Sequence, residues 1–355
     1  MPSRVVHRIS RVMLPILCAL LGPVAATADP VLPAPSVEAY RPAALTPRDA
    51  VPRVTTFAKA PANAPNIVVV LLDDVGFGAA GTFGGPIPTP TLDTLAKGGL
   101  RYNAFHTTAM CSPTRAALLS GRNANAVGVG SVLNTPAPYD GYIGEMPKSA
   151  ATVAEVLRQN GYRTAAFGKW HLAPEWESSP AGPFEHWPLH MGFDRFYGFL
   201  PAEADQYSPA SLINDMSPVS APRRAGYHLT EDLTDQAIDW MRSQHSIAPD
   251  RPFFVYFAPG ATHSPFQVPR PWIDRFRGQF GQGWDRLREE TFARQKTLGV
   301  IPAGADLTPR PKQIPAWDSL PPAQQKLAAR LMETYAGFLA HTDAQVGRLV
   351  GALKG

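Results

Sequence analysis

Unbroken apolar runs and helical stripes alternate along this chain, and together they outline its fold. Asn66-Ile67-Val68-Val69-Val70-Leu71-Leu72 is apolar after its first residue and rich in β-branched side chains. Such a run suits a strand buried on both faces of a parallel sheet. Pro252 to Ala258 repeats the pattern, and Arg163 to Gly168 gives a third, less apolar strand. Leu100 to Phe105 is a further predicted strand. Between them lie helical segments. Thr89 to Gly98 has Pro near its start and Gly at its end, Thr152 to Asn160 is stopped by Gly161, and Leu229 to Arg242 carries its charges on one side. Residues 172–227 read as a long loop region and 270–300 as helical. After a proline-rich crossing, Gln324 to Lys354 reads as a long amphipathic helix. Leu327, Leu331, Tyr335 and Phe338 form its apolar stripe, extended by Val346, Leu349 and Val350. Strands alternating with helices predict an α/β fold built on a mixed, mostly parallel sheet sandwiched by helices. In a βαβ architecture the last helix should feed another strand, so the expectation is that the pattern stops mid-fold, with a C-terminal part missing.

Composition changes this picture mainly at the N-terminus. The 355 residues suffice for one large or two ordinary domains. Arg4, Arg8 and Arg11 precede an apolar stretch, Val12 to Leu21, and Ala26-Thr27-Ala28 resembles a cleavage site. Residues 1–28 are read as a signal peptide and 29–62, rich in Pro and Ala, as an extended N-terminal arm. The catalytic domain is read over 63–355. The apolar stretch is too short for a stable membrane anchor. The three arginines come with no acid in residues 1–28, so the formal net charge of +4 falls to +1 without them. The basic balance therefore gives no ground for nucleic-acid binding. A periplasmic or secreted location is expected. Cys18 is expected to leave with the signal peptide, which makes Cys111 the lone cysteine of an exported protein and suggests a reactive or modified thiol, or intermolecular pairing.

Cys111-Ser112-Pro113-Thr114-Arg115 places that cysteine at the mouth of a predicted helix, where the helix dipole favours an anion. A buried structural cysteine is the plainer alternative. Asp73 and Asp74 close the first strand, and ligands of α/β proteins gather at the carboxyl ends of strands. Two adjacent carboxylates repel unless a cation joins them. A hard divalent ion with oxygen ligands and a capped turn are both open readings of this pair. Lys169 and His171 follow the 163–168 strand on one side of an extended segment, as an anion site or as two solvated residues. His263 follows the strand ending at Ala258. His186 and His190 are loop residues with no helix to pair them on a metal.

Taken together, these segments resemble the sulfatase family of the alkaline phosphatase superfamily, nearest to bacterial arylsulfatases. Cys111-Ser112-Pro113-Thr114-Arg115 with Leu119-Ser120-Gly121-Arg122 matches the signature C-x-P-x-R and its trailing T/S-G-R. Asn66 to Gly78 matches the opening strand and Asp-Asp pair, Gly168-Lys169-Trp170-His171 the G-K-W-H, and His263-Ser264-Pro265 the later histidine before proline. The resemblance implies hydrolysis of a small-molecule sulfate ester. It also implies that Cys111 is oxidised by a formylglycine-generating enzyme to 3-oxoalanine (formylglycine), whose hydrate is the nucleophile. Calcium, or magnesium, would sit on Asp73, Asp74 and residue 111. Arg115 would hold the hydrated aldehyde, Lys169 and His263 would clamp the sulfate, and His171 would take the proton that releases it. A phosphonate monoester or phosphodiester hydrolase using the same group is the alternative reading.

The family completes its metal site with an Asp-Asn pair on a later strand and adds a second lysine. Neither is found here; Asn214-Asp215 is reversed and precedes His263. With half its protein ligands, the 355-residue chain is expected to bind metal weakly and to show little activity, the behaviour of an inactive fragment.

Overall fold

The computed structural model describes residues 58–354 together with Thr46 and Arg48. Residues 1–28, read above as a signal peptide, and most of 29–62, read as an arm, lie outside the described residues. The chain divides into Met1–Thr56 and Phe57–Gly355, and every element below belongs to the second unit. No helix among the described residues is long and apolar enough to cross a membrane.

Six strands form one mixed sheet: β1 (Ile67–Val70), β2 (Arg163–Lys169), β3 (Arg195–Phe199), β4 (Leu212–Asn214), β5 (Ser217–Pro218) and β6 (Phe253–Ala258). Their order is β1-β6-β2-β3-β4-β5. The first four in that order run parallel, and β4 and β5 add an antiparallel edge. The helices are α1 (Pro90–Gly98), α2 (Cys111–Ser120), α3 (Val153–Gln159), α4 (Leu229–Ile247), α5 (Arg270–Asp274), α6 (Gly283–Thr297) and α7 (Pro322–Ala352).

The apolar runs are explained by burial on two faces. Along β6, Phe254, Tyr256 and Ala258 join the core that holds α2 residues Ala116 and Leu119. Phe253, Val255 and Phe257 join the opposite core, with Leu233 of α4 and Val346 and Leu349 of α7. The two-residue period of a strand thus serves both layers. Each of the Phe, Val and Leu side chains among them, fully buried, contributes about 1.5–3 kcal/mol of apolar transfer.

Four expectations are corrected. Residues 172–227 hold three strands as well as loops, since β3, β4 and β5 lie there. Leu100 to Phe105 is no strand: Leu100, Tyr102 and Phe105 are exposed and no neighbouring strand supplies a ladder. β1, expected to be buried on both faces, is only half-buried, because it is the outermost strand of the described sheet. On α7 Phe338, Val346 and Leu349 of the stripe are buried and Tyr335 and Val350 half-buried, whereas Leu327 and Leu331 are exposed.

Candidate active site

Three adjacent strands, β1, β6 and β2, end side by side, and each delivers polar residues to the same end of the sheet. β1 leads to Asp73 and Asp74. They diverge: Asp73 is buried, while Asp74 is exposed with φ of 55°. The repulsion expected of the pair is relieved by side-chain cations. Lys169 Nζ lies 2.6 Å from Asp73 Oδ2, and Arg115 Nη2 lies 3.4 Å from Oδ1. All three groups are nearly sealed from solvent. Charges so enclosed persist only in mutual compensation.

Gly168 sets the end of β2. Its φ of +112° is left-handed, and a Cβ there would run into the Ala258 carbonyl on β6. Only glycine permits that approach, and it precedes Lys169 directly. His171 lies just past the strand, at φ of 50°, with its amide donating to the Leu200 carbonyl. The turn keeps both side chains in the site but aims them differently. Lys169 reaches Asp73, and His171 reaches the start of α2.

Cys111 opens α2, with Pro113 in the first turn, and Gly121 closes the helix in the left-handed conformation. The half-buried Cys111 Sγ lies 3.1 Å from His171 Nδ1, and Ser112 Oγ lies 3.2 Å from the same nitrogen. Arg115, one turn on, donates from Nη1 to the Lys169 carbonyl and to the Tyr256 hydroxyl. Burial works against its charge. Tyr256, Asp73 and Cys111 nevertheless hold its proton affinity above the ordinary guanidinium value. The His171 pKa is lowered to about 3, first by burial and then by Lys169 and Arg115. Its ring is therefore neutral near pH 7, with a lone pair to offer.

His263 is delivered beyond β6 and stands at the rim. Its Nε2 is 3.9 Å from Asp74 Oδ2 and its Nδ1 is 3.8 Å from Glu203 Oε2. Thr262 donates from its amide to the Asp73 carbonyl at 2.6 Å, and the Tyr335 hydroxyl donates to the Asp74 carbonyl. A groove of about 780 Å³ runs along β1 past Asp73, Asp74, Cys111 and Arg115, with Phe77, Tyr102 and Met110 on its walls.

Of the sequence-derived residues, Asp73, Arg115 and Lys169 are thus in direct contact, as are Cys111 and His171, with Asp74 and His263 at the edge. Asp73 and Asp74 are oxygen donors of the kind a hard divalent cation takes. Among the described residues no group of three or more His, Cys, Asp or Glu is arranged to hold a metal, so the pair fits such an ion in donor type and supplies only part of its shell. Asn214 and Asp215 are elsewhere, in the β4–β5 hairpin, where both bond Arg195. His186 is a buried structural residue bonded to Glu177 and to the Met146 carbonyl, and His190 bonds the Phe184 carbonyl. Tyr256, Thr262 and Tyr335 were not anticipated. Tyr256 alone left a signal, a hydroxyl in an otherwise apolar strand that required a partner.

The sulfatase family model matches residues 65–355. The arylsulfatase of Klebsiella aerogenes is 33% identical over 297 residues, covering 82% of this chain and 62% of that protein. Human arylsulfatase A is 36% identical over 242 residues, covering 62% of this chain and 46% of that protein. The chain therefore spans about half to three-fifths of these relatives' lengths. A putative sulfatase from Bacteroides fragilis shares the fold at a TM-score of 0.61 and 20% identity, over 85% of this chain and 60% of that one. The phosphonate monoester hydrolase of Agrobacterium radiobacter shares it at 0.50 and 21%, over 82% and 59%.

Proposed function

Because this chain belongs to the sulfatase family, we propose that it hydrolyses small-molecule sulfate esters, with residue 111 as nucleophile after oxidation of its thiol to formylglycine. One observation carries the reading. The Cys111 sulfur opens α2 within 3.1 Å of a buried, neutral imidazole, and the same cluster holds two buried cations on one carboxylate.

Here Sγ stands in for the hydroxyls of the hydrated aldehyde, which supply an oxygen nucleophile that a thiol lacks. The mouth of a helix beside His171 is a polar setting suited to them. His171 Nδ1 takes a proton from residue 111 in the step that frees sulfate, and its neutrality at pH 7 leaves it able to do so. Lys169 is held by one donor on Asp73, and its charge reaches the sulfate through the field it sets up beneath the groove. Arg115 fixes Asp73 and the Lys169 backbone, holding the positive field rigid. His263 closes the rim over the leaving oxygen. Asp73 and Asp74 would hold part of the shell of a calcium or magnesium ion, which when bound supplies further positive charge beside the sulfate. Maturation by a formylglycine-generating enzyme and export to the periplasm or beyond complete the proposal.

Mass spectrometry of the peptide containing Cys111, after expression with the maturation enzyme, tests the nucleophile; an unmodified thiol overturns it. Turnover of an aryl sulfate against an aryl phosphonate tests the substrate. Faster phosphonate cleavage would make the phosphonate monoester hydrolase reading the correct one.

A further inference from the structure

We propose that Ser112 is a positioning residue, which holds His171 with an unprotonated Nδ1 aimed at residue 111. The inference rests on residue 111 being the reacting group.

Ser112 is fully buried at the second position of α2. A buried hydroxyl in a native structure is hydrogen-bonded. Two groups lie within its reach: the Leu133 amide at 3.4 Å and His171 Nδ1 at 3.2 Å. They are not equivalent. The Leu133 N–H can only donate, so it occupies a lone pair of Oγ. The serine proton is then left to give, and Nδ1 is the acceptor in reach. A nitrogen that accepts carries no proton, so the neutral ring bears its hydrogen on Nε2. The relay runs one way, from the Leu133 amide through Ser112 to His171.

Cys111 Sγ meets the same Nδ1 at 3.1 Å. Residues 111 and 112 are neighbours in the first helical turn, so a single nitrogen faces both. Ser112 thereby selects the tautomer that residue 111 needs. An alanine offers no such donor, whereas a threonine keeps it.

The test uses Ser112→Ala and Ser112→Thr in the full chain. Nitrogen-15 spectra of histidine-labelled protein at neutral pH read the tautomer directly and need no formylglycine; His171→Asn assigns the signal. The wild type should show the Nε2–H form, Ser112→Ala a mixture of tautomers, and Ser112→Thr the wild-type form. After residue 111 conversion has been checked by mass spectrometry, kcat for an aryl sulfate should fall about 10–100-fold in Ser112→Ala with KM within about twofold, the scale for losing a residue that orients a functional histidine. Ser112→Thr should recover most of it. An Nδ1–H tautomer in the wild type overturns the proposal, even if no variant is active. So does an unchanged tautomer and kcat in Ser112→Ala. Absence of sulfate-ester turnover in the converted wild type would instead overturn the proposed function, and the tautomer would still decide the role of Ser112.

Discussion

His171 and His228, in two places of this molecule, are both buried and neutral, and only one of them has the makings of a catalytic residue. His171 lies past the end of β2, with its pKa lowered to about 3. His228 lies at the start of α4, with its pKa lowered to about 4. In both, burial is the first cause. Cations come next for His171, and the His341 ring, 4.6 Å away between centroids, comes next for His228. The difference lies in what the ring nitrogens face. His228 uses both for structure: Nδ1 accepts from the Thr230 amide and caps the helix, and Nε2 donates to the Gln267 carbonyl. His171 turns Nδ1 to a thiol and a hydroxyl beside two buried cations. A depressed proton affinity follows from burial anywhere; chemistry needs a reactive partner within reach of the free lone pair.

The largest effect should come from exchanging the two. His171→Asn is expected to lower kcat by about 10²–10⁴-fold, the usual worth of a positioned proton acceptor. At the second place His341→Asn, at the ring packed on His228, should leave kcat/KM within about twofold. Steady-state kinetics on an aryl sulfate, with residue 111 conversion verified, decides this, and a comparable loss from His341→Asn would erase the distinction.

Stability should separate the two places next. Asp73→Asn leaves Lys169 and Arg115 buried without a countercharge, a loss of about 3–5 kcal/mol. Glu231, the partner of His341, is about one-third exposed, so Glu231→Gln should cost about 1 kcal/mol or less. Urea unfolding midpoints measure both. Equal losses would mean that the strand-end charges are better solvated than their burial indicates.

How far the sequence reveals these places depends on how local each signal is. Ile67 to Leu72 and Phe253 to Ala258 are legible because both faces of the sheet demand apolar residues. Cys111 at the start of α2 is legible from Pro113 and the turn residues around it. The pairing of Asp73 with Lys169 and Arg115 is not, since 96 residues separate the first two and adjacency favoured Asp74. β3 was hidden because Arg195 opens it and Gly198 interrupts it, within a stretch rich in Pro and aromatics. The N-terminus of α1 is capped from afar, by the Asp343 carboxylate of α7 accepting from the amides of Thr91 and Leu92. The stripe on α7 has the right period, yet Leu327 and Leu331 lie outside the part of the helix that packs.

Acid should weaken both places, and His228 allows its share to be isolated. Its folded pKa of about 4 lies below the ordinary value of 6.5, so the unfolded chain binds the extra proton first. Stability present above pH 6.5 is therefore lost as pH falls from 6.5 towards 4, by at most about 3 kcal/mol for this group. His228→Gln should flatten the fall in urea midpoint over that window, whatever it does at pH 7. A parallel curve would show that His228 titrates normally.

The smallest effect is expected at His341, and its smallness is informative. Its Nε2 donates to Glu231 at 3.0 Å, while its buried Nδ1 has no partner among the described residues. A satisfied bond contributes about 1 kcal/mol, and an unsatisfied buried polar atom costs about 1–3 kcal/mol. His341→Phe removes both and keeps a ring against Trp272, which now meets it edge-on at 5.3 Å. Net stability at pH 7 should change by no more than about 1 kcal/mol, because gain and loss offset. The exchange also relieves His228 of a neighbour that lowers its proton affinity, so the acid limb should become shallower. At His171 no comparable exchange exists, since the proposed reaction uses the Nδ1 lone pair and every apolar replacement removes it. A loss of several kcal/mol from His341→Phe would show that the helix junction depends on its imidazole as closely as the strand ends depend on theirs.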